Sequence, residues 1–248
     1  MKILLVNKYL YRKGGAETYF IKLGEYLKSL GNEVEYFGMA DERNCVENRV
    51  EAYTENIDFH KKSLKHITYP FKIIYSVNAR KQIRKVLSDF KPDVVHLNNF
   101  NYQLTPSIIY EIKKHNIPIV YTAHDVQLVC PNHKLKNDYT DGLCRKCDGG
   151  KYFECVKNNC VHSSKIRSIL GAVEAWYYKL RHTYKMIDLT VCPSEFMEKE
   201  ISRNDDINGR TVTMYNFIDE IKPLGAECEN YVLYFGRYSE EKGISNLV

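Results

Sequence analysis

The segment Ile117-Pro-Ile-Val-Tyr-Thr-Ala-His124-Asp125 decides the fold of this 248-residue chain. After the proline it runs through β-branched and aromatic residues from Ile119 to Thr122, which is typical of a strand buried on both faces of a parallel sheet. The strand ends on a small residue followed by His124 and Asp125. Ligands of open α/β sheets bind beyond the carboxyl ends of the strands, so this pair is a candidate site. The alternative is a capping aspartate beside a hydrogen-bonded histidine.

Strands and helices alternate on both sides of this segment. Residues 2–7 predict a first strand, and a helix with one apolar stripe starts near Ala16 and stops at Gly31. Further helices are expected at about 70–90, 106–115 and 165–185 and from residue 193, and further strands at 33–37, 93–97, 187–192 and 211–215. The pattern predicts an α/β fold with a Rossmann-like, doubly wound parallel sheet.

Two glycines, Gly14 and Gly15, precede the first helix. A glycine turn lets backbone N–H groups at a positive helix end face an anion. The sequence Gly-Gly-Ala-Glu lacks the G-x-G-x-x-G spacing, so it does not predict a dinucleotide site.

Cysteines are concentrated between residues 130 and 162, which we interpret as a cysteine-rich insertion. Two pairs, Cys144-x2-Cys147 and Cys155-x4-Cys160, have the spacing of a tetrahedral zinc site. Reduced thiols or two disulfides are the alternatives, and Cys130, His133 and His162 flank the pairs. The sequence shows no export signal, which predicts a cytoplasmic protein with reduced thiols unless a metal binds them.

Positive charge is concentrated between His60 and Ser88. This block holds eight Lys or Arg residues and no acidic residue, whereas the whole chain has a net charge of +5. Such a block suits an anionic partner such as a membrane surface, and a solvated basic face is the alternative. No recognition helix accompanies it, so nucleic acid is not an expected partner. The apolar stripe of the helix at 165–185 is expected to face the core rather than a membrane.

Composition places the domain boundaries late in the chain. We expect one domain over residues 1–221, a linker at 222–230 and the beginning of a truncated second domain at 231–248. Residues 231–235 read as its first strand. So short a segment cannot bury a core of its own.

In its order of motifs, the chain resembles the retaining GT-B glycosyltransferases of family 4. The motifs that carry the resemblance are Gly14-Gly-Ala-Glu17, Lys91-Pro-Asp-Val-Val-His96, Thr122-Ala-His124-Asp125, Pro193-Ser-Glu195, Asn216-x-Ile-Asp219 and Tyr234-Phe-Gly-Arg237-x-Ser-x-Glu-Lys242-Gly243. Each motif is loose, but the ordered set is specific.

The resemblance implies a nucleotide sugar held between two domains. It places His124, with Asp125 beside it, at the reacting sugar. In the first domain it assigns donor binding to Gly14, Gly15 and Glu17. In the second domain it assigns donor binding to Arg237 and Lys242. Catalysis in such an enzyme requires no cofactor, so any zinc at the cysteines would be structural.

The expected function is therefore transfer of a hexose from a UDP- or GDP-sugar to a saccharide or lipid-linked acceptor, with retention, in cell-surface polysaccharide or glycolipid synthesis. The family's later Glu-x7-Glu segment is missing, so this chain is expected to be an incomplete, inactive half. It would act in the cytoplasm, peripherally at the inner membrane face through residues 60–88. The alternative is a non-catalytic binding or regulatory module that keeps only the half-fold.

Overall fold

The computed structural model describes residues 1–56, 69–137, 142–218, 230–236, 238 and 244. In these residues the strands are β1 Lys2–Val6, β2 Glu33–Phe37, β3 Val94–Leu97, β4 Ile119–Thr122, β5 Leu189–Cys192 and β6 Thr211–Thr213. The helices are α1 Gly15–Ser29, α2 Tyr69–Ile74, α3 Val77–Phe90, α4 Ile108–Lys114, α5 Phe153–Lys157, α6 Lys165–Leu180 and α7 Glu195–Ile201.

The six strands form one parallel sheet in the order β2-β1-β3-β4-β5-β6. The predicted fold class is confirmed. The chain winds outward from β1 to β2 and then returns to place β3 on the other side of β1. The loops after β1 and β3 therefore diverge, and this switch point is where open α/β sheets bind ligands.

Both faces of the sheet are buried, as strand β1 shows. Ile3 and Leu5 pack with Phe20 of α1 on one face. Leu4 and Val6 join the larger cluster on the other face, which contains residues of α3 and α4. Alternate side chains of a strand point to opposite faces, so a continuous apolar run is what a doubly covered strand requires.

The helix expected at 70–90 is two helices, α2 and α3. Ser76 breaks it, because its hydroxyl accepts a hydrogen bond from the backbone N–H of Ala79 at 3.1 Å and caps α3. The backbone N–H of Ser76 donates to the hydroxyl of Thr105 at 3.1 Å instead of continuing a helix. A serine N-cap satisfies a donor that the first turn of a helix leaves free.

The expected core packing of the helix at 165–185 is wrong for most of its apolar stripe. Helix α6 ends at Leu180, and its large apolar side chains on one side are exposed, among them Ile166 and Leu180. It buries Ser168, Ala172 and Tyr178 instead. Small residues let it lie close to the rest of the domain.

The chain divides into two units, Met1–Asn216 and Phe217–Val248. In the second unit, residues 231–235 form no strand, contrary to expectation, and four of these five side chains are more than 60% exposed. A single extended segment has no neighbouring strand to satisfy its backbone groups. The boundaries at 221 and 230 stay predictions. In the described residues, no helix has the length and apolar character needed to cross a membrane.

Candidate active site

Two hydrogen bonds connect the loops after β1 and β3 at the switch point, before the loops diverge. The side-chain oxygen of Asn7 accepts a hydrogen bond from the backbone N–H of Asn99 at 3.0 Å. The backbone N–H of Lys8 donates to the Asn99 carbonyl at 2.7 Å. Asn7 is fully buried, so its amide side chain fixes the shape of this edge rather than facing a ligand.

The glycine pair forms the start of α1 beside this edge. Gly14 is the N-cap, in an extended conformation, and no side chain caps the helix. Neither glycine has a positive φ angle, so backbone strain does not explain the pair. A Cβ atom on Gly15 would meet no atom within 4 Å, which leaves open space in front of the first turn. Free N–H groups beside open space suit an anionic ligand.

Glu17 is buried under the glycine turn. Its carboxylate accepts a hydrogen bond from the side-chain amide of Asn99 at 3.5 Å, which ties α1 to the loop after β3. A Cβ atom on Gly14 would lie 3.3 Å from the Glu17 carboxylate. The geometry therefore gives Glu17 a supporting position behind the turn.

Two lysines and two tyrosines stand at the same edge. The Lys8 ammonium lies 4.7 Å from the centre of the Tyr102 ring and 4.8 Å from that of Tyr9, and Lys13 lies 3.8 Å over Tyr9. Burial lowers the pKa of Lys8. Sequence reasoning missed Lys8, although its place directly after a strand is the signal that could have identified it.

His124 follows β4 and is held by groups from two other elements. Its Nε2 donates a hydrogen bond to the side-chain oxygen of Asn98 at 2.9 Å, and its ring meets the Tyr19 ring edge-on at 5.4 Å between centres. Burial lowers the pKa of His124 to about 4, so the ring is neutral at pH 7. With the proton on Nε2, Nδ1 is an acceptor.

Asn98 contributes an unsatisfied donor beside His124. It is fully buried, and its side-chain nitrogen has no hydrogen-bond partner in the described part of the chain. A buried N–H without a partner costs free energy, which a bound oxygen atom would recover. Asn98 and His124 together therefore offer polar groups to a hydroxyl-rich ligand.

His96 lies within β3 and is held by the neighbouring strand. Its Nε2 shares a hydrogen bond of 2.7 Å with the hydroxyl of Thr122 on the neighbouring strand. Burial lowers its pKa to about 4, with a smaller contribution from His124. It supports the floor of the site in its neutral form.

Asp125 caps the turn after β4 and also binds His133. One carboxylate oxygen accepts from the backbone N–H of Gln127 at 2.9 Å, and the other lies 3.3 Å from Nδ1 of His133. Burial opposes ionisation, but these donors outweigh it and lower the pKa of Asp125. Both oxygens are occupied, which favours a positioning role over attack on a substrate.

His133 comes from the cysteine-rich insertion and reaches the site from outside the sheet. Its ring stacks on Tyr102 at 6.0 Å between centres. Burial alone would lower its pKa, but the neighbouring Asp125 and Glu174 raise it overall. Glu174, on α6, has a pKa raised to about 7 by burial. No sequence pattern indicated that His133 and Glu174 interact, because 41 positions separate them.

The cysteine pairs lie together, with one addition. Cys130 lines the same small cavity as Cys144, Cys147, Cys155 and Cys160. None of the seven cysteines of the described residues is in a disulfide, and burial raises the pKa of Cys147 to about 12, so this thiol is neutral. In the described residues no three His, Cys, Asp or Glu side chains are placed to hold a metal ion. The zinc site stays a prediction.

The predicted second-domain residues and part of the basic block lie outside the described residues. Arg237 and Lys242 lie outside the described residues. Of the basic block, residues 60–68 also lie outside them. Arg80 and Arg84 both pair with Glu111 of α4, at 2.7 and 2.6 Å, so part of the block is structural.

The six-stranded parallel sheet flanked by helices matches the N-terminal half of GT-B glycosyltransferases. Residues 13–221 match the sequence profile of Glycosyltransferase Family 4. The chain belongs to this family, and the resemblance drawn from its motifs is confirmed.

Similar proteins extend beyond this chain. It is 26% identical over 259 residues to an uncharacterized 42.6 kDa protein in the cps region of Klebsiella pneumoniae, covering 98% of this chain and 63% of that protein. Sucrose-phosphate synthase from Thermosynechococcus elongatus is similar in structure, with a TM-score of 0.50, 14% identity and coverage of 86% of this chain and 47% of that one. HepE from Anabaena, solved in complex with UDP and glucose, has a TM-score of 0.47 and 14% identity, and the match covers 88% of this chain and 45% of HepE. The chain thus spans about half to two thirds of the length of these proteins.

Proposed function

We propose that this chain is the acceptor-side half of a glycosyltransferase. The reaction would move a hexose from a nucleotide sugar, with retention, to a saccharide or lipid-linked acceptor. Membership of family 4 supports the reaction class. The cps-region location of the Klebsiella relative supports a role in polysaccharide synthesis. HepE was solved with UDP and glucose, which agrees with a UDP-sugar donor.

The observation that carries the proposal is the hydrogen bond between neutral His124, which follows β4, and Asn98, which follows β3 at the switch point. A sugar presents hydroxyl groups that donate and accept, and Nδ1 of His124 and the free amide N–H of Asn98 match both roles. The bond to the leaving diphosphate breaks through a cationic, oxocarbenium-like sugar. A neutral imidazole can contact that sugar without repelling its developing charge.

The positive groups of the same edge would act on the departing diphosphate. The first turn of α1 offers free N–H groups behind Gly15, and Lys8 and Lys13 add two cations. Fixed donors aimed at developing charge lower the barrier because they need little reorganisation during the reaction. No metal ion is needed for this role. The family resemblance assigns donor binding to Arg237 and Lys242 as well.

Asp125 and His133 would position the acceptor side of the pocket. Asp125 holds His133 through one oxygen and the turn after β4 through the other. His133 has a raised pKa and faces the half-buried carboxyl group of Glu174. We expect His133 to bind the acceptor rather than to react.

The test compares two forms of the protein in a transfer assay. The 248-residue chain and a version with a complete donor-binding domain are incubated with radiolabelled UDP- and GDP-sugars and a crude membrane fraction. Transfer by the longer version, with the anomeric configuration of the donor kept in the product, supports the proposal. Inversion of that configuration would overturn the retaining mechanism. Transfer by neither form, with all sugars tried, would favour the binding-module alternative.

A further inference from the structure

Helix α6 presents a stripe of large apolar side chains to the outside of the domain. Ile166 is 73% exposed and Leu180 is 79% exposed. Between them lie Ile169, Val173 and Trp176, each at least 36% exposed. Residues three and four apart share one side of a helix, so the five side chains form a continuous stripe about 21 Å long. We call it the α6 stripe.

Helix α6 packs against the domain through its opposite side, so the stripe remains exposed. The helix packs through Ser168, Ala172 and Tyr178, and the cysteine-rich segment packs against it through Cys155 of α5. The inward side is therefore filled by small residues and one tyrosine. Exposed apolar residues arranged in a contiguous patch mark an interaction surface more often than scattered ones do.

Cations border the α6 stripe on both sides. At 100° per residue, Lys165 and Lys179 fall on one side of the stripe and Arg167 on the other. Arg181, directly after the helix, packs over the rings of Tyr110 and Tyr177, and Lys179 lies 4.0 Å from Asp205. The single acidic residue of α6 is Glu174, whose carboxyl group interacts with His133. An apolar strip with cations on both sides is typical of a helix lying in the headgroup region of an anionic membrane.

Trp176 has the arrangement expected at such an interface. Its ring nitrogen donates a hydrogen bond to the carbonyl of Gly150 at 3.0 Å. The polar atom is thus satisfied within the protein while the ring remains partly exposed. Tryptophan is enriched where an apolar phase meets water for this reason.

The basic block adjoins α6. The hydroxyl of Tyr178 donates to the carbonyl of Ile74 at the end of α2, and the rings of Tyr75 and Tyr177 meet edge-on at 6.2 Å. Lys72 of α2 is exposed. Helix α2, which carries the exposed Lys72 of the basic block, therefore packs against α6.

We infer that the α6 stripe docks on an anionic lipid bilayer, with the helix in the membrane plane and its flanking cations on lipid phosphates. Charge complementarity distinguishes this occupant from a second copy of the chain, because apposed copies would bring like charges together. Docking itself does not depend on the proposed reaction. If that reaction is right, Glu174 and His133 on the inner side of α6 place the site close to a membrane-held acceptor.

Vesicle binding tests this inference without any activity measurement. The chain is mixed with vesicles of phosphatidylglycerol and phosphatidylcholine, or of phosphatidylcholine alone, and separated by sedimentation. We expect binding to the anionic vesicles only, weakened by salt. The double variant Ile166→Ser/Leu180→Ser should bind the anionic vesicles at least roughly tenfold more weakly than the wild type. The control Leu30→Ser/Met214→Ser, which changes two apolar residues of similar exposure elsewhere, should bind like the wild type.

A charge variant and a mass measurement complete the design. Lys165→Glu/Arg167→Glu should also weaken binding, because it reverses charge on both flanks of the stripe. Equal binding by the stripe variants and the wild type would overturn the inference. So would a wild-type dimer that Ile166→Ser/Leu180→Ser converts to a monomer, since the stripe would then be a contact between copies. A fold check by circular dichroism separates either result from misfolding.

Discussion

Replacing Glu111 by glutamine tests whether the basic block is partly a structural element. The Glu111 side chain is 2% exposed, and its two oxygens lie 2.7 Å from Arg80 and 2.6 Å from Arg84. The glutamine keeps the shape of the side chain but removes its charge. Arg80, which is 18% exposed, and the half-exposed Arg84 would then lose their shared counter-charge, which is unfavourable.

The size of the effect follows from the pKa of Glu111. The hydrogen bond from Arg84 is the largest cause, with Arg80 adding to it, and they lower the pKa from 4.5 to about 2. A shift of that size corresponds to roughly 3 kcal/mol at 1.36 kcal/mol per unit. The Arg84 side chain is 53% exposed, so screening reduces the expected loss to about 2 kcal/mol.

The sign of the pH dependence is fixed by the direction of the shift. A lowered carboxyl pKa stabilises the fold above pH 4.5, and this stability is lost as the pH falls towards 2. Urea unfolding at pH 7 should therefore show a midpoint for Glu111→Gln lower by about 1 M, and the difference should vanish near pH 2.

The matched control is Asp205→Asn. Its side chain is 89% exposed and lies 4.0 Å from Lys179, so the change should cost less than about 0.5 kcal/mol. If Glu111→Gln behaves like this control at pH 7, or if its effect persists unchanged at pH 2, the ion pairs do not stabilise the fold and the reasoning is refuted.

Three further predictions concern the site and the cysteines. Gly15→Ala should leave thermal unfolding nearly unchanged but weaken donor binding in the extended protein, because the new methyl group enters the open space before α1; unchanged donor affinity would contradict this role. Burial raises the pKa of Glu174 to about 7, so the folded form holds the proton more tightly and the wild type should lose stability as the pH rises from 4.5 to 7. Glu174→Gln should not show this loss, and parallel pH profiles of the two proteins would contradict the prediction. Elemental analysis should find about one zinc ion per chain in the wild type and none in Cys155→Ser; a wild-type protein without zinc would refute the predicted zinc site.

Much of the fold could be predicted because each strand carries its own signal. A doubly wound sheet was predicted from the apolar run of β4 after Pro118, from the helix end at Gly31 and from the alternation of strand and helix patterns along the chain. The position of His124 at the carboxyl edge followed from the strand itself. Such local signals act within a few residues, and tertiary packing reinforces them here.

The parts that could not be predicted depend on contacts between distant residues. Periodicity showed that α6 has an apolar stripe, but not that Ser168 and Ala172 would take the inner side. The pairing of Arg80 with Glu111 across 31 positions leaves no trace in composition. The approach of His133 to Asp125 depends on the path of the cysteine-rich segment. Ser76 is different, because a serine before Val77 was a readable helix start.

The role of His124 is the central claim, and a transfer assay with the extended protein tests it most directly. His124→Ala should lower kcat by about a hundredfold or more, while the KM for the nucleotide sugar changes little. The control is His115→Ala, an exposed histidine at the end of α4, which should retain full activity. Wild-type kcat in His124→Ala would contradict the account, because the histidine at the carboxyl end of β4 would then take no part in the reaction.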